Sequence, residues 1–275
     1  MVRPITATLL LLSLAWGTLE AQESATLTGE RKAYADWLTT AKTSPLAAIA
    51  MQRLNGLVTL GPDTADIPLN GFGPASVTER KGAVTFTGAD GKSRPLPKGR
   101  PVSIAPWTLQ VIQGGSSPVL LVYGKPGGKV PGWYPVDPGL SFDVRLEAAP
   151  SPVRRRALTL DGIDVEAVAV GHVSVTVEGA TTRLQVMRMP IPGTEETELQ
   201  VYFRDKTNDH GTYPAGRFVD LTRTSNGAYR LDFNRARNPF CAYSSVYPCP
   251  VPWSGNALPV PIEAGEKYLP SKPGS

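Results

Sequence analysis

Between residues 30 and 42, Tyr34, Trp37, Leu38 and Ala41 recur at helical spacing. This predicts an amphipathic helix, which Pro45 ends. Residues 46–54 carry the apolar pattern on and read as a further helical turn or two. From Leu57 onward the pattern changes to short runs parted by Gly and Pro. The clearest runs are 83–87, 108–112, 119–123, 142–148, 157–160, 165–170, 173–177, 183–189, 199–203, 218–221 and 229–233. Val173, Val175 and Val177 alternate with Ser174 and Thr176, as in a strand with one face buried. Short strands with turn residues between them predict a mainly β chain, an antiparallel sandwich or barrel-like domain with an N-terminal helix. Residues 124–132 and 149–152 read as loops, either of which is a candidate seam inside one strand-rich domain over 22–275.

Composition agrees with that reading. The 275 residues include 27 Gly and 27 Pro, which suits a loop-rich β chain and argues against a helical bundle or coiled coil. Hydrophobic residues make up 41% and charged ones 19%, enough apolar surface for a core and too little charge for a disordered chain. The formal net charge is +4, with Lys and Arg scattered except at Arg154-Arg155-Arg156. That cluster reads as a solvated strand entry. A nucleic-acid binder would carry a longer basic stripe with interleaved aromatics, so no nucleic-acid partner is expected.

The beginning of the chain adds a compartment. Arg3 precedes a mostly apolar run over residues 5–17, and Leu19-Glu20-Ala21 ends on a small residue. The run is too short for a membrane span and has the form of a secretory signal over residues 1–21, cleaved after Ala21. The expectation is a periplasmic or extracellular protein with no membrane span. In that compartment the cysteines, Cys241 and Cys249, read as a disulfide closing a short loop, worth about 2.5 kcal/mol in the chain-entropy model. Two thiolates without a nearby His are too few for a zinc site.

Familiar catalytic motifs are missing. The histidines are His172, on the polar parity of its strand, and His210, in the turn-like Asn208-Asp209-His210-Gly211. Gly114-Gly115-Ser116-Ser117-Pro118 lacks the spacing of a nucleophile elbow, and no phosphate-cradling or dinucleotide-binding glycine motif occurs. A histidine-dependent serine hydrolase is therefore not expected, and no cofactor is implied.

The polar chemistry gathers near the C-terminus. Phe203-Arg204-Asp205-Lys206-Thr207, Gly211-Thr212-Tyr213 and Gly216-Arg217-Phe218 are followed by Asp232-Phe233-Asn234-Arg235-Ala236-Arg237-Asn238-Pro239-Phe240-Cys241-Ala242. Cys249-Pro250-Val251-Pro252, Asn256 and Glu263-Ala264-Gly265-Glu266-Lys267 complete the series. In that order these strings resemble a family of exported or lipid-anchored bacterial and archaeal proteins known as domain of unknown function 1684. Trp37 and residues 55–69 look like a shortened form of that family's start. Arg237 stands where the family pattern has Tyr. The resemblance implies no activity.

Strand parity gives these residues a geometry. Asp205 continues the inward face of Leu199, Val201 and Phe203, so it needs a partner, and Arg217 is the natural one. Asp232 and Asn234 share the opposite face from Tyr229, Leu231 and Phe233. One pocket of Asp205, Thr207, Tyr213, Arg217, Asp232, Asn234, Asn238, Asn256, Glu263 and Glu266 would take a small polar molecule or a cation such as Ca²⁺. Two readings stand beside that one. Asp205, Asp232, Glu263 and Glu266 are candidate acids of a hydrolase acting on an envelope carbohydrate or ester. Alternatively, the same residues form a buried polar network that fastens loops in a structural or partner-binding protein.

Overall fold

The computed structural model describes residues 7–192, 194–253 and 255–270, with side chains from Ser24 onward. Helix α1 (Ala7–Thr40) is followed by nine strands: β1 (Ala48–Arg53), β2 (Leu57–Gly61), β3 (Ile67–Pro68), β4 (Ala75–Arg80), β5 (Ala83–Thr87), β6 (Ser93–Pro95), β7 (Val102–Ile104), β8 (Trp107–Gln113) and β9 (Pro118–Tyr123). Beyond the 124–132 loop come β10 (Ser141–Val144), β11 (Glu147–Leu158), β12 (Asp164–Val177), β13 (Ala180–Pro190), β14 (Thr197–Phe203), β15 (Arg217–Arg223) and β16 (Tyr229–Asp232). Short 3-10 turns lie at Phe233–Arg235 and Phe240–Ala242. The mainly β, antiparallel architecture with an N-terminal helix is the one the pattern predicts.

Three sheets carry the fold: β3-β2-β4-β5-β6, β1-β9-β8-β7, and the seven-stranded β10-β16-β15-β14-β13-β12-β11. The last curls as a half-barrel around Val173, Val175, Leu184, Val186, Val201, Phe203, Val219 and Leu231. A second cluster, with Val77, Phe86, Leu109 and Val122, joins the first two sheets. A third, with Leu121, Tyr123, Ala167, Met187 and Met189, joins the four-stranded sheet to the outer side of the seven-stranded one. The chain leaves the first two sheets for the third at the 124–132 loop, the place expected as a seam.

The local differences from the sequence reading have physical causes. Of the residues expected as further helical turns, Leu46 and Ala47 lie in one 3-10 turn (Pro45–Ala47), and the chain then enters β1, because β9 is buried along its whole length and needs a neighbour on this side. The runs 165–170 and 173–177 are one strand, β12, broken in register near Gly171, where a Cβ would run into the Glu147 carbonyl. Residues 149–152 are not a free loop but the bulged part of β11 opposite that point. Arg154 and Arg156 face solvent there and pair with Glu166 and Asp164, as a solvated strand would.

On α1, Leu27 and Leu38 are buried, and Ser24, Arg31, Tyr34 and Trp37 are half-buried on the same side. The helix therefore lays one stripe along the third sheet and its C-terminal loops. Of the expected signal segment 1–21, residues 1–6 lie outside the described residues, as do the side chains of the remainder. Among the described residues, no helix is long and apolar enough to cross a membrane.

Candidate functional site

Arg217 begins β15 and is completely buried, opposite Phe203 at the end of β14. Its guanidinium donates through Nη2 to Asp205 Oδ2 at 2.9 Å and to the Ile262 carbonyl at 2.9 Å, and through Nη1 to the Ala264 carbonyl. The expected Asp205–Arg217 pair is present. Asp205 Oδ1 in turn accepts from Thr207 N at 2.8 Å, Thr207 Oγ1 at 2.5 Å and Ile262 N at 3.1 Å. Every one of these groups is enclosed. Burial pulls the Arg217 pKa down while Asp205 opposes the shift, so the carboxylate is what makes a buried guanidinium tolerable. The cluster fastens the 203–217 turn to the 262–264 segment.

The other expected residues separate from it. Asn256 is a knot of its own: its Oδ1 accepts from Gln185 N at 2.7 Å, and its Nδ2 donates to the Gln185 and Tyr202 carbonyls at 3.0 Å each. Asn238 donates through Nδ2 to the Lys267 carbonyl at 2.9 Å. Tyr213 packs edge-on against Tyr268, and Glu263 is exposed. The structure does not gather the ten residues into one pocket. Polar loop side chains have instead satisfied the nearest backbone groups.

The cysteines require a correction. Cys241 and Cys249 are free thiols, not the expected disulfide. The Tyr213 hydroxyl stands 3.3 Å from one sulfur and 3.2 Å from the other, so the two share a hydrogen-bond partner in place of a bond. Burial, with the Cys249 thiol beside it, pushes Cys241 up to about 12, which keeps its thiol protonated.

Two cavities lie beneath α1, on surfaces that share Leu27. One, about 240 Å³, is lined by Ser24, Val136, Ser141, Arg230, Asp232 and Asn234, so two of the expected residues do meet at a cavity. Asn234 also bonds both ways with the Asp137 backbone, and Asp232 caps the Phe233–Arg235 turn. The other, about 250 Å³, is lined by Leu27, Glu30, Arg31, Tyr34, Trp133, Asp220, Arg235 and Arg237.

Three arginines converge on this second cavity, one from α1 and two from the segment after β16, and they are held to different degrees. Arg31 of α1 donates to the Tyr134 and Asn234 carbonyls at 2.9 Å each and stacks on Trp133, 4.8 Å from the ring centre. Its buried Nε has no partner. Arg235 pairs with Glu30 and, at 3.2 Å, with Asp232. Arg237 lies over the Tyr34 ring at 5.6 Å and reaches Asp220 at only 3.4 Å. Glu30 and Asp232 pair with Arg235 and Asp220 with Arg237, whereas Arg31 is in no ion pair among the described residues. Position 237 was notable in the sequence only as a departure from a pattern. Arg31 and Trp133 gave no signal as a pair, because 102 residues separate them and only the fold stacks one on the other.

Behind the cavity sits Glu266. Its Oε2 accepts from Asn238 N at 2.8 Å, and its Oε1 accepts from the Tyr243 hydroxyl. The Tyr243 and Tyr34 hydroxyls are 3.3 Å apart. Burial raises the Glu266 carboxyl to about 7, against the pull of these hydrogen bonds and of Arg237 and Arg217. Gly265 makes the placement possible: its φ is +76°, and a Cβ would come within 2.7 Å of the Ala236 carbonyl and 2.8 Å of the Phe233 carbonyl.

The family described as protein of unknown function (DUF1684) matches residues 131–267, which hold the whole seven-stranded sheet and the loops around Glu266. The chain belongs to this family. Trp37 and residues 55–69 fall outside the matched part. The solution NMR structure of an uncharacterised protein from Haloarcula marismortui is 32% identical, over 50% of this chain and 75% of that one, with a TM-score of 0.42. No curated protein matches. In this DUF1684 chain, α1 therefore adds Leu27, Glu30, Arg31 and Tyr34 to a cavity whose remaining lining residues lie within the family region.

Proposed function

We propose that the protein is an exported binding protein for a small organic acid, held in the 250 Å³ cavity beneath α1. The observation that carries this reading is the convergence of Arg31, Arg235 and Arg237 on one cavity walled by Leu27 and Trp133. Guanidiniums held by ring stacking and backbone carbonyls are pre-organised for a carboxylate. Leu27 and Trp133 offer apolar surface to the rest of the ligand. Arg31, held by two carbonyls and the Trp133 ring and in no ion pair among the described residues, favours an anion over the cation expected from the C-terminal acids. The hydrolase reading has less support. Asp205 is sealed with Arg217, Glu263 is exposed, and of the four acids only Asp232 lines a cavity beneath α1.

Export rests on the charged, apolar and small-residue pattern of residues 1–21. Cleavage after Ala21 would keep every α1 residue that lines the cavities, since these begin at Ser24. The test uses protein recovered from the periplasm, with an intact mass lacking residues 1–21, and titrates benzoate by calorimetry. Benzoate should bind, and Arg237→Gln should weaken binding about tenfold or more, as loss of a charge-assisted contact does. Unchanged affinity in the variant would place the ligand elsewhere.

A further inference from the structure

Glu266 is a buried carboxyl on a hydroxyl line that reaches the arginine cavity. Its Oε1 accepts from Tyr243, whose hydroxyl is 3.3 Å from that of Tyr34, and Tyr34 lines the cavity under Arg237. We infer that an organic acid enters this cavity together with a proton, which Glu266 takes up. The inference rests on the binding reading above.

The coupling follows from what faces Glu266. From α1 comes Tyr34, from just after the Phe240–Ala242 turn Tyr243, from β15 Arg217, and from the loop after the Phe233–Arg235 turn Arg237. The two arginines favour the carboxylate, whereas burial favours the neutral acid, and the balance leaves Glu266 close to half-protonated near neutrality. Arg217 is committed to Asp205 and to two carbonyls, so its contribution is constant. Arg237 is the variable one: it borders the cavity and is held by Asp220 at 3.4 Å only. A carboxylate beside Arg237 offsets its charge, the neutral form of Glu266 gains, and one proton moves in through Tyr34 and Tyr243 by hydroxyl hand-over. By reciprocity, whatever protonates Glu266 tightens binding of the acid.

Calorimetric titration of benzoate in buffers of different ionisation enthalpy counts the protons taken up. At pH 7 the wild-type chain should take up a fraction of one proton, and its affinity should fall as pH rises through 7, by at most about tenfold per unit. Glu266→Gln should bind benzoate with no uptake and a flat pH profile. Tyr243→Phe checks the same carboxyl where Glu266→Gln folds poorly, and should alter the uptake without abolishing binding. Binding with no uptake in the wild type, or uptake that persists in Glu266→Gln, overturns the inference and leaves the binding reading standing. Failure of the wild type to bind benzoate removes both. A ligand-free measurement checks the coupling separately: the ¹³C signal of the Glu266 carboxyl should titrate near neutrality and move to higher pH in Arg237→Gln. Titration in the ordinary carboxylate range, or no movement in the variant, overturns it.

Discussion

Asp205 and Arg217 have no exposed side-chain surface, and their partners are backbone groups of the 262–264 segment as much as each other. Such a pair is costly to break from one side, because the remaining charge stays buried. Asp205→Asn keeps the shape but removes the charge that balances Arg217. It should lower stability by about 3–5 kcal/mol, read as a shift in the urea midpoint. The same substitution should leave benzoate affinity unchanged once the variant is folded, because Asp205 does not line the arginine cavity. Parity along β14 made this pair legible in the sequence. It did not reveal that Ile262 and Ala264 complete it, since a backbone carbonyl is present at every residue and carries no sequence signal.

Helix α1 is joined to the sheet by few polar links. Arg31 supplies two of them, to the Tyr134 and Asn234 carbonyls, and Arg235 supplies the pair with Glu30. Arg31→Ala removes the first two and the stack on Trp133. Amides of α1 around residues 24–34 should then exchange faster with deuterium, while those of β12 and β13, each hydrogen-bonded to a strand on both sides within the seven-stranded sheet, keep their protection. Equal acceleration in both would mean that α1 is part of the global folding unit. The helix itself was readable from Tyr34, Trp37 and Leu38, and β12 to β16 from alternation or apolar runs. The short strands β2, β3, β4, β6 and β7 were not. Several are two to six residues long, too short for a period to emerge, and they are strands because neighbours complete their ladders.

Taken across the fold, burial holds three carboxyls among the described residues above their usual range: Glu266, Glu198 and Asp161. Glu266 and Glu198 are both raised from 4.5 to about 7, chiefly by burial, with Asp220 adding to the shift at Glu198. A carboxyl with a raised folded pKa holds its proton in the native chain after the unfolded chain has released it. Stability should therefore be highest near the unfolded value of 4.5, fall as pH rises to about 7, and level off above that. Glu266 alone accounts for roughly 3 kcal/mol of that fall. Urea denaturation at pH 5, 6, 7 and 8 measures it, and Glu266→Gln should remove about half of the slope or less, leaving the part due to Glu198 and Asp161. A stability that rises across this window would show that Glu266 titrates normally in the folded chain.

Sequence alone determined the features that depend on neighbouring residues along the chain: the alternation of β12 and β14, the breaks at Gly and Pro, the inward Asp205, and the ordered C-terminal strings of the DUF1684 family. Tertiary structure decided which of these meet. Asp205, Asn256 and Glu266 are close in the sequence pattern but satisfy three different sets of backbone groups. The thiols of Cys241 and Cys249 converge on the Tyr213 hydroxyl instead of on each other. Arg31, Trp133 and Arg237 come from distant parts of the chain and still surround one cavity. Periodicity reports which face of an element is buried, whereas a site requires faces of different elements to converge, and that depends on packing between residues with no local relation.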